Sequence, residues 1–230
     1  MGKRVLPTST KGRDNIGKGG IVSENTIVLS ESEIAKSRSH VYHLLSLIYL
    51  SEITPELLNI LTDKNVLDLF SDLGEDLGNR LNKPNHHELL NNLAEEYAAL
   101  FIVPGGIPPY ESVRLEGLLN QKSAFEVEEF YKKCGLIIKD DFTVMPDHIG
   151  MELEFMSYLA NKEADSLINN IGDDAKKWFD FQKEFFEGHI SRWAFRFLQD
   201  LEKFTFHLFY KGAARLTQRF LETEKEFLWS

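Results

Sequence analysis

The sequence predicts an all-α fold, a single-domain helical bundle, on three observations. Apolar residues recur at helical spacing over most of the chain, and N-cap residues stand just before those runs. Only residues 136–144, LIIKDDFTV, have strand-like composition, and one strand cannot make a sheet. With 230 residues and 43% hydrophobic content, including 17 Phe, 7 Tyr and 3 Trp, there is ample material for one large core.

Taken in order, residues 1–29 carry five glycines and no sustained periodicity, which reads as a flexible N-terminal extension, with the helical domain spanning residues 30–230. Ser30 with Glu33 forms a capping box, and Ile34, Val41, Leu44, Leu45 and Ile48 follow as the stripe of a long first helix. Thr54 and Pro55 open a second helix, because proline at the first helical position lacks an N–H that would go unpaired anyway. Asn85 and Glu88 open another, striped by Leu89, Leu93, Tyr97, Leu100 and Phe101. Its first-turn His86 and His87 point in different directions and read as solvated. VPGGIPPYES, residues 103–112, must be loop.

A helix is expected from about Leu118 to Cys134, stopped by Gly135. From Pro146 to the end the pattern is helical, punctuated at Gly172 and Gly188. One stripe holds Trp178, Phe181, Phe185 and Phe186, another Trp193, Phe197 and Leu201, and the last Phe206, Phe209, Leu216 and Phe220.

Charge and cysteine content exclude several classes. There are 36 acidic against 26 basic residues, a net −10; residues 1–29 hold five cations and two anions, +3, which leaves −13 on the rest. A body that acidic repels phosphate backbones and suits cationic peptides. One cysteine, Cys134, precludes an intrachain disulfide and a cysteine zinc knuckle, as expected of a reducing cytosolic compartment, and reads as a buried apolar residue. No apolar run reaches membrane-spanning length, the N-terminus lacks the apolar core of a secretory signal, and Leu6 stands where myristoylation wants Ser or Thr.

The densest chemistry lies in MPDHIGMELEFM, residues 145–156. His148 and Glu152 would share a helix face and could supply two metal ligands, but a third, His189 or Glu111, has no spacing argument behind it. An acid/base reading lacks a nucleophile, and no glycine-rich segment ends as a phosphate loop does. Pro146 and Asp147 read as a helix start, and Glu152 as a solvated or rim carboxylate. His148 is left without a role, because a helix N-terminus disfavours its charged form. The loop PPYESV offers a constrained aromatic and acidic lip suited to peptides.

Three stretches carry a family resemblance: EYAALFIVPGGIPPYESV (96–113), MPDHIGMELEFMSYLANKE (145–163) and GHISRWAFRFLQDLEK (188–203). Together they resemble the TorD/DmsD/NarJ family of cytoplasmic molybdoenzyme maturation chaperones, whose pattern runs Y-x-x-L-F, P-Y-E-S, P-D-H with E-L-E-F-M, then H-x-x-x-W, in this order. The resemblance implies a non-enzymatic, cofactor-free, all-helical protein. It would bind the twin-arginine signal peptide and apo-form of a molybdenum-cofactor oxidoreductase and assist cofactor loading before export. Tyr97, Leu100 and Phe101 would then line an apolar groove, Pro109, Tyr110 and Glu111 its lip, and Asp147 and His148 would contact the peptide. Glu111, Asp147 and Glu116 are the expected acids for the arginines. The chain departs from the pattern at Arg114, where an aromatic is expected, and at Val144 and Met145, where acids precede P-D-H, so the lip is less negative.

The extension has no counterpart in that pattern and reads as a tail, or as a leader mimic in the chain's own groove. A monomer is the starting expectation, with helix exchange open through the loop before Pro146. Guanine-nucleotide binding, which the resemblance also raises, finds no phosphate loop. The alternative from another class is a metal-dependent helical enzyme using Asp147, His148 and Glu152.

Overall fold

The computed structural model describes residues 29–72, 81, 85–139 and 143–230. The extension expected over residues 1–29 therefore lies outside the described residues except for Leu29. Helix α1 (Glu31–Leu50) starts on the reciprocal capping box: Ser30 Oγ accepts the Glu33 N–H, and the Glu33 carboxylate accepts the Ser30 N–H at 2.8 Å. Helix α2 (Pro55–Leu61) starts on the Thr54 hydroxyl, and α3 (Lys64–Asp72) follows. Helix α4 (His86–Tyr97) is capped by the Asn85 side chain and runs on into a wider π-helical turn, Ala98–Ile102.

After the proline-rich loop comes the short α5 (Glu111–Glu116), then α6 (Lys122–Lys133). The helix expected from Leu118 thus begins four residues later. Gly117 (φ 86°) and Asn120 (φ 56°) both take the left-handed conformation, which breaks any helical path between them. Gly135 (φ 83°) ends α6 as expected. Residues 136–139 have no regular structure, and the rest of the strand-like patch lies partly outside the described residues.

Helix α7 (Ile149–Ile168) is followed by α8 (Gly172–Phe185), a second π-helical turn (Phe186–Ile190), α9 (Ser191–Phe204) and α10 (Leu208–Trp229). Gly188 is not punctuation; it lies inside the π turn, and the chain stays helical from 172 to 204. Phe206 is also off the stripe expected for it. It sits in the link before α10 and is 95% exposed.

The register of contacts gives the packing. Along α1 and α7, Ser46 meets Glu154, Ser39 meets Ser157 and Lys36 meets Asn161, so numbers fall on one helix as they rise on the other, and the two are antiparallel. Gly150 allows this approach at the α1 end, since a Cβ there would lie 2.6 Å from Leu50 Cγ. Helix α10 runs antiparallel to α1 in the same way, with Arg38 on Glu224, Tyr42 on Phe220 and Tyr49 on Thr217. Phe155 against Phe185 and Tyr158 against Trp178 pair α7 with α8. The core between these helices is rich in aromatics, among them Tyr42, Tyr49, Phe185, Phe197 and Trp193.

At the end of α1 remote from Leu50 the core is ionic. The Arg38 guanidinium donates to Glu224 (2.7 Å), Glu163 (3.2 Å) and the Gln182 carbonyl (2.7 Å), and Gln182 in turn donates to Glu163 (2.9 Å). One buried side chain therefore ties α1 to α7, α8 and α10. Among the described residues, no helix is long and apolar enough to cross a membrane.

Candidate functional site

The proline-rich loop and the start of α7 come together as a two-stranded clasp. The Ile149 N–H donates to the Pro109 carbonyl and the Glu111 N–H to the Asp147 carbonyl, both at 2.9 Å, which sets Tyr110 opposite His148 in an isolated antiparallel bridge. The Tyr110 and His148 rings meet edge to face, centroids 5.0 Å apart. Tyr131 closes the back of the clasp by donating its hydroxyl to the Pro146 carbonyl at 2.9 Å.

The capping differs from the sequence expectation. Asp147 does not start its own helix: its carboxylate accepts the Ser112 N–H at 2.8 Å, capping α5 from across the clasp. His148 is the N-cap of α7, its Nδ1 accepting the Gly150 N–H at 3.0 Å. Burial lowers the His148 pKa to about 4, which keeps the ring neutral and Nδ1 free to accept. The residue left without a role by its sequence thus has a structural one.

The acidic rim expected of Glu111 and Asp147 is also not at the surface, because both are wholly buried. Glu111 accepts from His189 Nδ1 at 2.9 Å and from Arg192 at 3.4 Å, which binds the lip to the second π turn and α9. Glu152, expected as a solvated or rim carboxylate, is buried too and accepts the Trp193 indole N–H at 3.1 Å. Desolvation first, and the charge of Glu111 next, push its pKa well above the ordinary carboxylate range. Arg114 pairs with Asp200 on α9 instead of facing outward.

These engagements correct the metal reading. Asp147, His148 and Glu152 each point at a different protein group, and among the described residues no three His, Cys, Asp or Glu side chains converge as a metal site would require.

Of the residues expected to line a groove, Tyr97 and Leu100 lie in the core. Tyr97 donates its hydroxyl to the Tyr49 carbonyl at 3.0 Å. Phe101 is half-buried and packs against Tyr97, Tyr210, Tyr49 and Phe197. Around its outer edge and that of Tyr110 lies a groove of about 650 Å³, lined by the 103–108 loop, Val113, Leu118 and Leu119. The sequence reading missed its outer wall. Ile102, Val103, Leu118 and Leu119 are 64%, 48%, 65% and 50% exposed, and four large apolar side chains held in solvent around one groove are a signature of an interaction surface. Gln121 joins this groove to a second depression of about 870 Å³, which contains Phe125, Glu126, Glu129 and, on its floor, His189.

Residues 65–199, more than half of the chain, match the family model of the nitrate reductase delta subunit. The chain belongs to that family. Over 212 residues it is 26% identical to the chaperone protein TorD of Vibrio atlanticus (strain LGP32), covering 84% of this chain and 95% of the relative. It is 25% identical over 226 residues to TorD of Shewanella pealeana, covering 90% and 96%. The fold matches a crystal structure described as a redox enzyme maturation protein, from Archaeoglobus fulgidus, with a TM-score of 0.50 at 23% identity, covering 91% of this chain and 99% of the other. The TorD/DmsD/NarJ resemblance read from the motifs therefore holds, and this family member carries its P-Y-E-S and P-D-H motifs as the two strands of one clasp.

Proposed function

We propose that this family member is a non-enzymatic, cytoplasmic chaperone that binds the twin-arginine signal peptide of a molybdenum-cofactor oxidoreductase and assists its maturation and cofactor loading before export. The observation that carries this reading is the apolar groove beside Tyr110, open to solvent and walled by Ile102, Val103, Leu118 and Leu119. A twin-arginine leader has an apolar middle after a basic start, and such a groove accepts the apolar part. Phe101 and Tyr110 contact the peptide directly in this reading. Tyr97, Leu100 and Pro109 form the floor and support, and Glu111, Asp147 and His148 act as positioning residues that fix the Tyr110 lip. The arginines meet exposed acids, Glu116 at the end of α5, where it also accepts from Ser123, and Glu126 or Glu129 in the adjoining depression, displacing Lys122 or Lys132 from them, within a body of net −13.

Titration calorimetry of the full chain with the leader of the molybdoenzyme encoded beside its gene tests this. Binding with a Kd on the order of micromolar or tighter is expected. Leu118→Asp should weaken it at least about tenfold with an unchanged unfolding midpoint, because Leu118 is mostly exposed. Absence of heat with a folded sample would sink the reading.

A further inference from the structure

Residues 3–6 of this chain read Lys-Arg-Val-Leu, two adjacent cations followed at once by two apolar side chains. That is the order of chemistry the Tyr110 groove is read as recognising, and it lies in a segment of +3 attached to a body of −13. We propose that this N-terminal segment is an internal occupant of the groove, a pseudo-leader that the client's signal peptide must displace. The proposal rests on the leader reading of the groove for its regulatory meaning, though not for the contact itself.

Three features of the chain support it. The first is complementarity: Val5 and Leu6 match the apolar wall of Ile102, Val103 and Leu118, and Lys3 and Arg4 match Glu116 on the exposed end of α5 beside it.

The second is reach. The described chain begins at Leu29, just before α1, and Tyr49 at the other end of α1 touches Phe101 in the groove, their ring centroids 6.4 Å apart. The length of α1 is roughly 30 Å at 1.5 Å per residue. The 23 residues from Leu6 to Leu29 can span up to about 80 Å, so the segment reaches the groove with slack.

The third is the energetics of tethering. An occupant on the same chain competes at an effective concentration on the order of millimolar when its linker can span the gap. Two cations and two apolar residues need bind only weakly at that concentration to hold the groove most of the time. A client leader, longer in its apolar part, still displaces it.

The test uses the full chain with a photoreactive benzoylphenylalanine at position 118, irradiated at low micromolar concentration and mapped by mass spectrometry. Crosslinks to residues 1–10 at the mass of one chain are expected, and their loss in a Lys3→Glu, Arg4→Glu variant. In the same double variant with Leu118 intact, the apparent Kd for the leader should tighten about tenfold, since the competitor is gone. Crosslinking that never involves residues 1–10, or a parent that binds leader and a double variant that binds it no more tightly, overturns the proposal. A covalent dimer carrying the same crosslinked peptides also overturns it, by making a second copy the occupant. If leader gives no heat with either protein while the intrachain crosslink persists, the contact stands and the leader reading falls.

Discussion

His148 shows how one residue's role passes from sequence to structure. A histidine in the first turn of a helix is poorly placed as a cation, and its sequence context offers no partner. Once the clasp buries it, the ring is neutral and its nitrogen becomes a hydrogen-bond acceptor for the helix start. This has a pH consequence. Because the folded-state pKa is depressed to about 4 from 6.5, the contribution of His148 is fully present above pH 6.5 and is lost as pH falls toward 4. The loss amounts to about 3 kcal/mol at most. His148→Asn keeps a capping acceptor and removes the titration, so denaturant unfolding at pH 7.5 should change by less than about 1 kcal/mol. Between pH 6.5 and 4 the variant should lose less stability than the parent. Asp147 was legible as a cap in the sequence, but not as the cap of a helix 35 residues earlier; only the clasp shows which N–H it faces.

Among the elements, helix starts were the most legible. Ser30, Thr54 and Asn85 cap the helices their spacing predicts, because capping is settled within four residues of chain. The two π turns were not legible. The first ends at the groove, and the second aims His189 at Glu111 and leads into the helix that holds Trp193. Helices α7 and α9 are joined by the Glu152 to Trp193 hydrogen bond, made by a carboxyl whose charge is disfavoured by burial and by Glu111. A raised folded-state pKa means that its contribution is present below about pH 4.5 and is lost as pH rises. Glu152→Gln retains an acceptor for the indole and does not ionise. It should therefore be more stable than the parent at neutral pH, the gain growing from pH 4.5 upward by as much as about 1.4 kcal/mol per unit. Equal stability of the two proteins across that range in urea titrations would refute this account of the α7–α9 contact.

For the whole molecule, the buried Arg38 network is the feature that couples the bundle, since it joins α1, α7, α8 and α10 at one point. Arg38→Ala leaves Glu224 and Glu163 buried without their cation and should cost about 3 to 5 kcal/mol, read from the denaturation midpoint. Because the network lies at the end of α1 away from the groove, leader affinity of the folded variant should stay close to that of the parent. The sequence by itself determined the all-α class, the helix starts, the apolar stripes and the family motifs, because these depend on neighbours within a turn or two of chain. It also marked the lip, since proline and glycine confine residues 103–109 to a loop whatever surrounds them. The burial of the polar motif residues was decided by the tertiary structure alone. A carboxylate looks the same in sequence whether it is exposed, as Glu116 is, or buried against an indole, as Glu152 is. Which one it faces depends on helices distant in sequence that fold over it, and that packing turned the expected acidic rim into a buried clasp beneath an apolar groove.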